Sequence, residues 1–117
     1  MKKIVLLFSM IAFCAVMFGQ NLKERKIQYF VDAATKEYSL NQEQQKELLN
    51  VRTGFVDELS SIFAQFKNGE ITKEEQIEKQ KKPNKKFKQA FEKITGKTNA
   101  ELQSFYKRMS EEIPNVK

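Results

Sequence analysis

A chain of 117 residues with no histidine, no tryptophan and a single cysteine lacks the usual ligands of soft metals. It also cannot build a Ser-His-Asp triad or a Cys-His pair. Its four glycines form no phosphate-cradling loop, and the net charge of +6, from 21 basic and 15 acidic residues, points to acidic partners.

The chain opens with Met1-Lys2-Lys3, a short basic start, and continues as an uncharged, mostly apolar run over 4–18 that ends at the small residue Gly19. This is the layout of a secretory signal peptide. The run is shorter than the roughly 20 apolar residues a spanning helix needs. A signal peptide over 1–19, cleaved near Gly19, and a single helical domain over 20–117 are expected, in an exported and most plausibly periplasmic protein. Two alternatives stand beside it. One is an uncleaved N-terminal anchor. The other is a lipoprotein lipidated at Cys14, which the bulky Phe13 before the cysteine and the apolar residues 15–18 after it disfavour. On the cleavage reading Cys14 leaves with the signal, and the mature chain has neither thiol nor disulfide. Losing Lys2 and Lys3 takes the 21 basic residues to 19, against 15 acids, or +4.

The rest of the chain reads as helix. Glycine is scarce, proline occurs only at Pro83 and Pro114, and no segment alternates in the manner of a strand. A first helix is expected over 22–37, with Ile27, Phe30, Val31, Ala34 and Tyr38 on one side. Asn41 is a suitable N-cap for the second, over 42–67. There Leu48, Val51, Phe55, Leu59, Ile62, Phe63 and Phe66 form one apolar stripe. Leu49 and Val56 widen it, and Gly54 faces the polar side. Glu43, Glu47, Asp57 and Glu58 fall at helical spacing on the polar face, where solvation accounts for them. At 1.5 Å per residue this helix is about 39 Å long. Arg52 falls inside the apolar arc, where it is expected to lay its stem on the core and extend its head to water or a carboxylate.

Asn68-Gly69 ends that helix, and Thr72-x-x-Glu75 has the form of a capping box for a third, over 73–95. Its expected inner face holds Ile77, Gln80, Asn84, Phe87, Phe91 and Ile94. Pro83 predicts a kink or break near Lys81-Lys82. Gly96 is the next stop. Thr98-Asn99-Ala100-Glu101 offers another box for a fourth helix, reaching about Glu112, with Leu102, Phe105, Tyr106, Met109 and Ile113 on one face. The tail from Pro114 is expected to be loose.

Over 79–97 stand eight lysines and one acid, Glu92, a local charge of +7. Lys81, Lys82, Lys85, Lys86 and Lys88, with Phe87 and Phe91 beside them, are the candidate client-contact residues. For the lysines a solvated helix face is the competing reading, and for the phenylalanines ordinary core packing. No arginine cluster or aromatic stacking array accompanies the lysines, and the signal peptide argues against nucleic acid.

Leu40-Asn41-Gln42-Glu43-Gln44 resembles the Leu-Thr-x-x-Gln motif of the Spy/CpxP family of small periplasmic stress proteins, with Leu40, Asn41 and Gln44 at the motif positions and Asn41 in place of threonine. The order of elements agrees: signal, amphipathic helix, motif, long helix, basic helix, short helix. A late second copy is reduced to Ile94-Thr95, and Thr98 to Glu101 supplies the capping geometry. The resemblance implies an all-α, cradle-shaped homodimer of curved helices. It also implies either an ATP-independent chaperone holding clients on a basic, partly apolar surface, or a sensor that modulates an envelope stress kinase. Pro83 interrupts a helix that the family pattern would keep continuous.

The sequence therefore predicts an all-α protein of about four amphipathic helices with a long second helix, as a bundle or a cradle-shaped homodimer built on the first two helices. It is expected to be no enzyme, to carry no cofactor or metal, and to bind unfolded or acidic client proteins in the manner of a chaperone. The alternatives are a regulatory or structural partner of one envelope protein, docking through the second helix, and a binder of anionic lipid or glycan surfaces.

Overall fold

A computed structural model describes residues 22–117. The expected signal peptide, the cleavage site at Gly19 and Cys14 lie outside the described residues. The chain forms α1 (Leu22–Tyr38), α2 (Gln42–Lys67), α3 (Lys73–Thr95), α4 (Asn99–Glu112) and a 3-10 turn (Ile113–Asn115), with no strand among the described residues. The fold is all-α, with four helices of which the second is the longest.

Local chemistry sets each boundary. Asn41, Thr72 and Thr98 each cap a helix, and each closes a capping box with the residue three positions on: Gln44, Glu75 and Glu101. Two backbone donors that the helix leaves free are satisfied at each start. Two helices stop at glycines in the left-handed region, Gly69 (φ 77°) and Gly96 (φ 71°), a conformation that glycine adopts without a Cβ clash. α1 ends instead at Ser39 (φ 52°), and the Leu40 N–H donates back to the Thr35 carbonyl at 3.2 Å.

α2 and α3 form a long antiparallel hairpin. α1 lies along the first part of α2, and its start is pinned there by Lys23 to Asp57 at 2.6 Å. α4 folds back beside α1 and α3. It is tied to α1 by Arg108 to Glu37 at 3.2 Å and by the Tyr29 hydroxyl, which donates to Glu112. Between these helices sits an aromatic core. Phe91 is fully buried among Phe30 (5.3 Å between ring centres), Phe87 (5.7 Å), Phe105 (5.7 Å) and Tyr106 (5.8 Å). Leu48, Leu102 and Met109 complete it.

The core occupies only one end of the hairpin. α1 has 17 residues against 26 in α2, about 26 Å against about 39 Å. Starting beside Asp57, it cannot reach the last turns of α2. Residues 59–67 and 73–82 therefore project as a two-helix arm. The described chain measures 56 × 38 × 23 Å, with a radius of gyration of 16.9 Å. A compact domain of 100 residues has about 13 Å.

Several sequence expectations are corrected here. Of the expected α2 stripe, only Leu48 is buried; Val51, Phe55, Leu59, Ile62 and Phe66 are half-buried, and Phe63 is 54% exposed. On α3 the inner face is turned from its expected position. Gln76 and Pro83 are buried, whereas Asn84 is exposed and Ile77 is 51% exposed. The helix runs unbroken through Pro83, whose ring packs on the core side rather than ending the helix. The tail after Glu112 forms the 3-10 turn, with Ile113 packed partly against the core.

Candidate functional site

Lys81, Lys82, Lys85, Lys86 and Lys88 are all exposed. At 100° per residue Lys81, Lys82 and Lys85 lie on the outer side of α3, away from the face that buries Pro83, Phe87, Phe91 and Ile94, and Lys86 and Lys88 flank that face. Among the described residues only Lys81 has an acidic partner, Glu78 at 3.0 Å, and that pair is exposed. Such a pair contributes about 0.2–1 kcal/mol at most. The other four lysines project without a counter-charge, so the basic stretch is a surface feature with uncompensated charge.

Phe87 and Phe91 do not share that surface. They are 4% and 0% exposed, turned away from the lysines into the core. Their burial agrees with their place on the expected inner face and with the core-packing reading, and the alternative reading of them as apolar contacts beside the lysines is corrected. A spacing of one or three residues from a lysine turns a helical side chain by about 100° or 60°, which here carries both rings into the core. The exposed apolar surface lies elsewhere, on the arm. Phe63 of α2 and Ile77 of α3 are its exposed apolar side chains, and Leu59, Ile62 and Phe66 on the same stretch of α2 are half-buried. Lys73 covers one edge, its ammonium 5.2 Å from the Phe66 ring centre. Ile77 is one turn from Lys81, so the apolar arm and the basic face adjoin.

The motif residues form a structural joint. Leu40 is buried in the core. The Asn41 side chain accepts from the Gln44 N–H at 2.8 Å, and the Gln44 side-chain oxygen accepts from the Asn41 N–H at 2.9 Å. The other half of the Gln44 amide donates to the Ile94 carbonyl at 2.9 Å. Glutamine thus closes the cap and ties the start of α2 to the end of α3, which glutamate cannot do because it has no donor when ionised.

A second site emerges around Arg52. Its guanidinium lies 4.0 Å from the ring centre of Phe30, 4.9 Å from Phe87 and 5.0 Å from Phe55. It reaches neither a carboxylate nor another hydrogen-bond acceptor among the described residues, and its Nε–H is sealed from solvent without a partner. Burial lowers its pKa to about 10. The Tyr106 hydroxyl is likewise buried without a partner, and burial foremost raises its pKa to about 12. Both side chains line a cavity of about 410 Å³ between α1, α2, α3 and α4, walled by Phe30, Phe55, Phe87 and Met109 and closed on one side by Ile113 and Pro114. Sequence reading expected the Arg52 head in water or on a carboxylate. A signal against the carboxylate was present: the positions three and four residues away, Leu48, Leu49, Phe55 and Val56, are all apolar. The part played by Tyr106 depends on three other helices and had no local signal.

No helix among the described residues is long and apolar enough to cross a membrane. Comparison with family models, with curated proteins and with solved structures finds no match for this chain.

Proposed function

We propose that this chain is an exported, non-catalytic holding protein that binds unfolded or acidic client proteins without ATP, in the manner of the Spy/CpxP family it resembles. The observation that carries this reading is the arm: an apolar surface at Phe63 and Ile77, left uncovered by the short neighbouring helices, adjoining a lysine face with little counter-charge. Exposed apolar surface of this kind marks interaction sites. Lysines attract acidic segments and speed their encounter, whereas apolar contact governs how long a client stays. Two copies joined through α1 and α2 would extend the surface into a cradle, and a homodimer is part of the proposal. The client-contact set is accordingly Lys81, Lys82, Lys85, Lys86 and Lys88 with Phe63 and Ile77.

The test is an aggregation assay with two unrelated clients at near-stoichiometric ratios, run with light scattering of the protein alone. The proposal expects protection of both clients, reduced strongly by Phe63→Ser with Ile77→Ser at unchanged helicity. Protection of neither client would favour a dedicated partner of one envelope protein. Binding to anionic vesicles with a steep loss in salt, and no client protection, would favour a surface binder.

A further inference from the structure

We propose that the cavity around Arg52 is a binding site for a small amphiphile bearing one carboxylate on an apolar body, such as a medium-chain fatty acid. This inference is independent of the client-holding reading, because it uses the closed end of the molecule and not the arm.

The lining is mainly aromatic and aliphatic, with the exposed Asn84, Lys88 and Ser110 as its other polar residues, and it includes no carboxylate. Its volume of about 410 Å³ falls in the range of small-ligand pockets, roughly 300–1,000 Å³. Into this apolar setting the fold places one guanidinium and one phenol, both without a hydrogen-bond acceptor among the described residues. A buried polar group left unpaired is costly, and a buried charge more so. The three phenyl rings offset part of that cost, since each presents the negative face of its π system to the cation. They leave the Arg52 Nε–H and the Tyr106 O–H without acceptors.

A carboxylate supplies what is missing. It is acceptor-only, it neutralises a single cation, and it can receive donors from a guanidinium and a hydroxyl together. At neutral pH both groups carry their protons, since burial leaves Arg52 titrating near 10 and Tyr106 near 12. Arg52 is the cation set among the rings, whereas Lys88 is exposed to solvent, so one negative charge is matched inside. A doubly charged phosphate would bring an excess charge into the apolar pocket. A small hydrophilic anion such as acetate would gain nothing from the phenyl walls. Lys88 lines the same cavity and is exposed, so it can attract an anion to the mouth. An acyl chain and the end of a short apolar peptide both supply such a body; they share the carboxylate and differ in shape.

The experiment is calorimetric titration of the protein with decanoate, 1-decanol, acetate, and an acetylated Leu-Leu dipeptide with a free C-terminus, all below aggregation concentrations. Decanoate should bind with a dissociation constant of about 10–100 µM, at least about tenfold more tightly than 1-decanol or acetate. The dipeptide decides the source: tighter binding than decanoate assigns a peptide terminus, and weaker binding assigns an acyl chain. Arg52→Met should abolish the preference for decanoate over 1-decanol, and Tyr106→Phe should weaken decanoate about fivefold. In the unaltered protein, which needs no variant to fold, decanoate should shift the Arg52 Nε–H and Tyr106 ring resonances. Equal affinity for decanoate and 1-decanol would overturn the proposal. So would a preference that survives Arg52→Met, or resonance shifts confined to the arm or the outer lysine face.

Discussion

The two ends of the α2–α3 hairpin carry similar phenylalanines in opposite circumstances. At the closed end Phe91 is enclosed by five other aromatic rings from three helices. On the arm Phe63 is 54% exposed, with only one partner helix beside it. Residue type is the same, and what differs is how far the neighbouring helices extend. α1 has too few residues to follow α2 to its end, and α4 joins α3 at the far side of the molecule. Helix length therefore divides one apolar stripe into a core and an open surface. The first holds the fold together, and the second is where a partner would gain by binding.

The largest expected effect lies at the closed end. Phe91→Ala should cost about 3–5 kcal/mol in urea unfolding, whereas Phe63→Ala should stay within about 0.5 kcal/mol. Similar costs at both positions would erase the distinction between the two ends. Arg52→Met, at the border between them, should raise stability by up to about 1 kcal/mol, since a half-buried charge without a counter-ion is replaced by an apolar chain of similar length. A loss of stability would mean that the three ring contacts outweigh the cost of burial. Gln44→Glu keeps the capping geometry but loses the donor to Ile94, and should cost about 1 kcal/mol. A neutral result would show that the tie between α2 and α3 is dispensable.

On the outer face, replacing Lys81, Lys82, Lys85, Lys86 and Lys88 with glutamine should leave helicity nearly intact. It should slow client capture at low salt and remove most of its salt dependence. Capture as fast as the parent's would reduce the lysines to a solvated face. The smallest effect concerns pH. The carboxyls of Glu75 and Glu101 titrate below their usual range, chiefly because the backbone N–H groups of Thr72 and Thr98 donate to them. Their lowered values mean that the ionised form is favoured by folding. This contribution is complete above the ordinary carboxylate pKa and is lost as pH falls through the lowered one. Glu75→Gln with Glu101→Gln should flatten the acid limb of a stability–pH curve, and an unchanged slope would assign that limb to other carboxylates.

The helix ends were legible in the sequence because their chemistry is local. Thr72 with Glu75 and Thr98 with Glu101 meet across one turn, and glycine at 69 and 96 marks a backbone only it adopts easily. The apolar face of α2 was legible as a stripe, but periodicity names a face and not its partner. It could not say that α1 stops short of Phe63. Periodicity did place Phe87 and Phe91 on the inner face of α3, where they are buried; their nearness in sequence to the lysines was what suggested a shared contact surface. Pro83 read as a break because its missing N–H is visible in the sequence and the packing of its ring is not. The Gln44 bond to Ile94 spans 50 positions, and the Arg52 cavity assembles from four helices. Neither leaves a mark at any single place in the chain.

The central claim is that the open arm, not the closed end, receives a client. Residue-resolved hydrogen exchange, with and without an unfolded client, tests it most directly. On adding client, exchange should slow over residues 59–88 and stay unchanged at Phe30, Phe91 and Phe105. Slowing confined to the closed end, or no change anywhere while aggregation is suppressed, would contradict it.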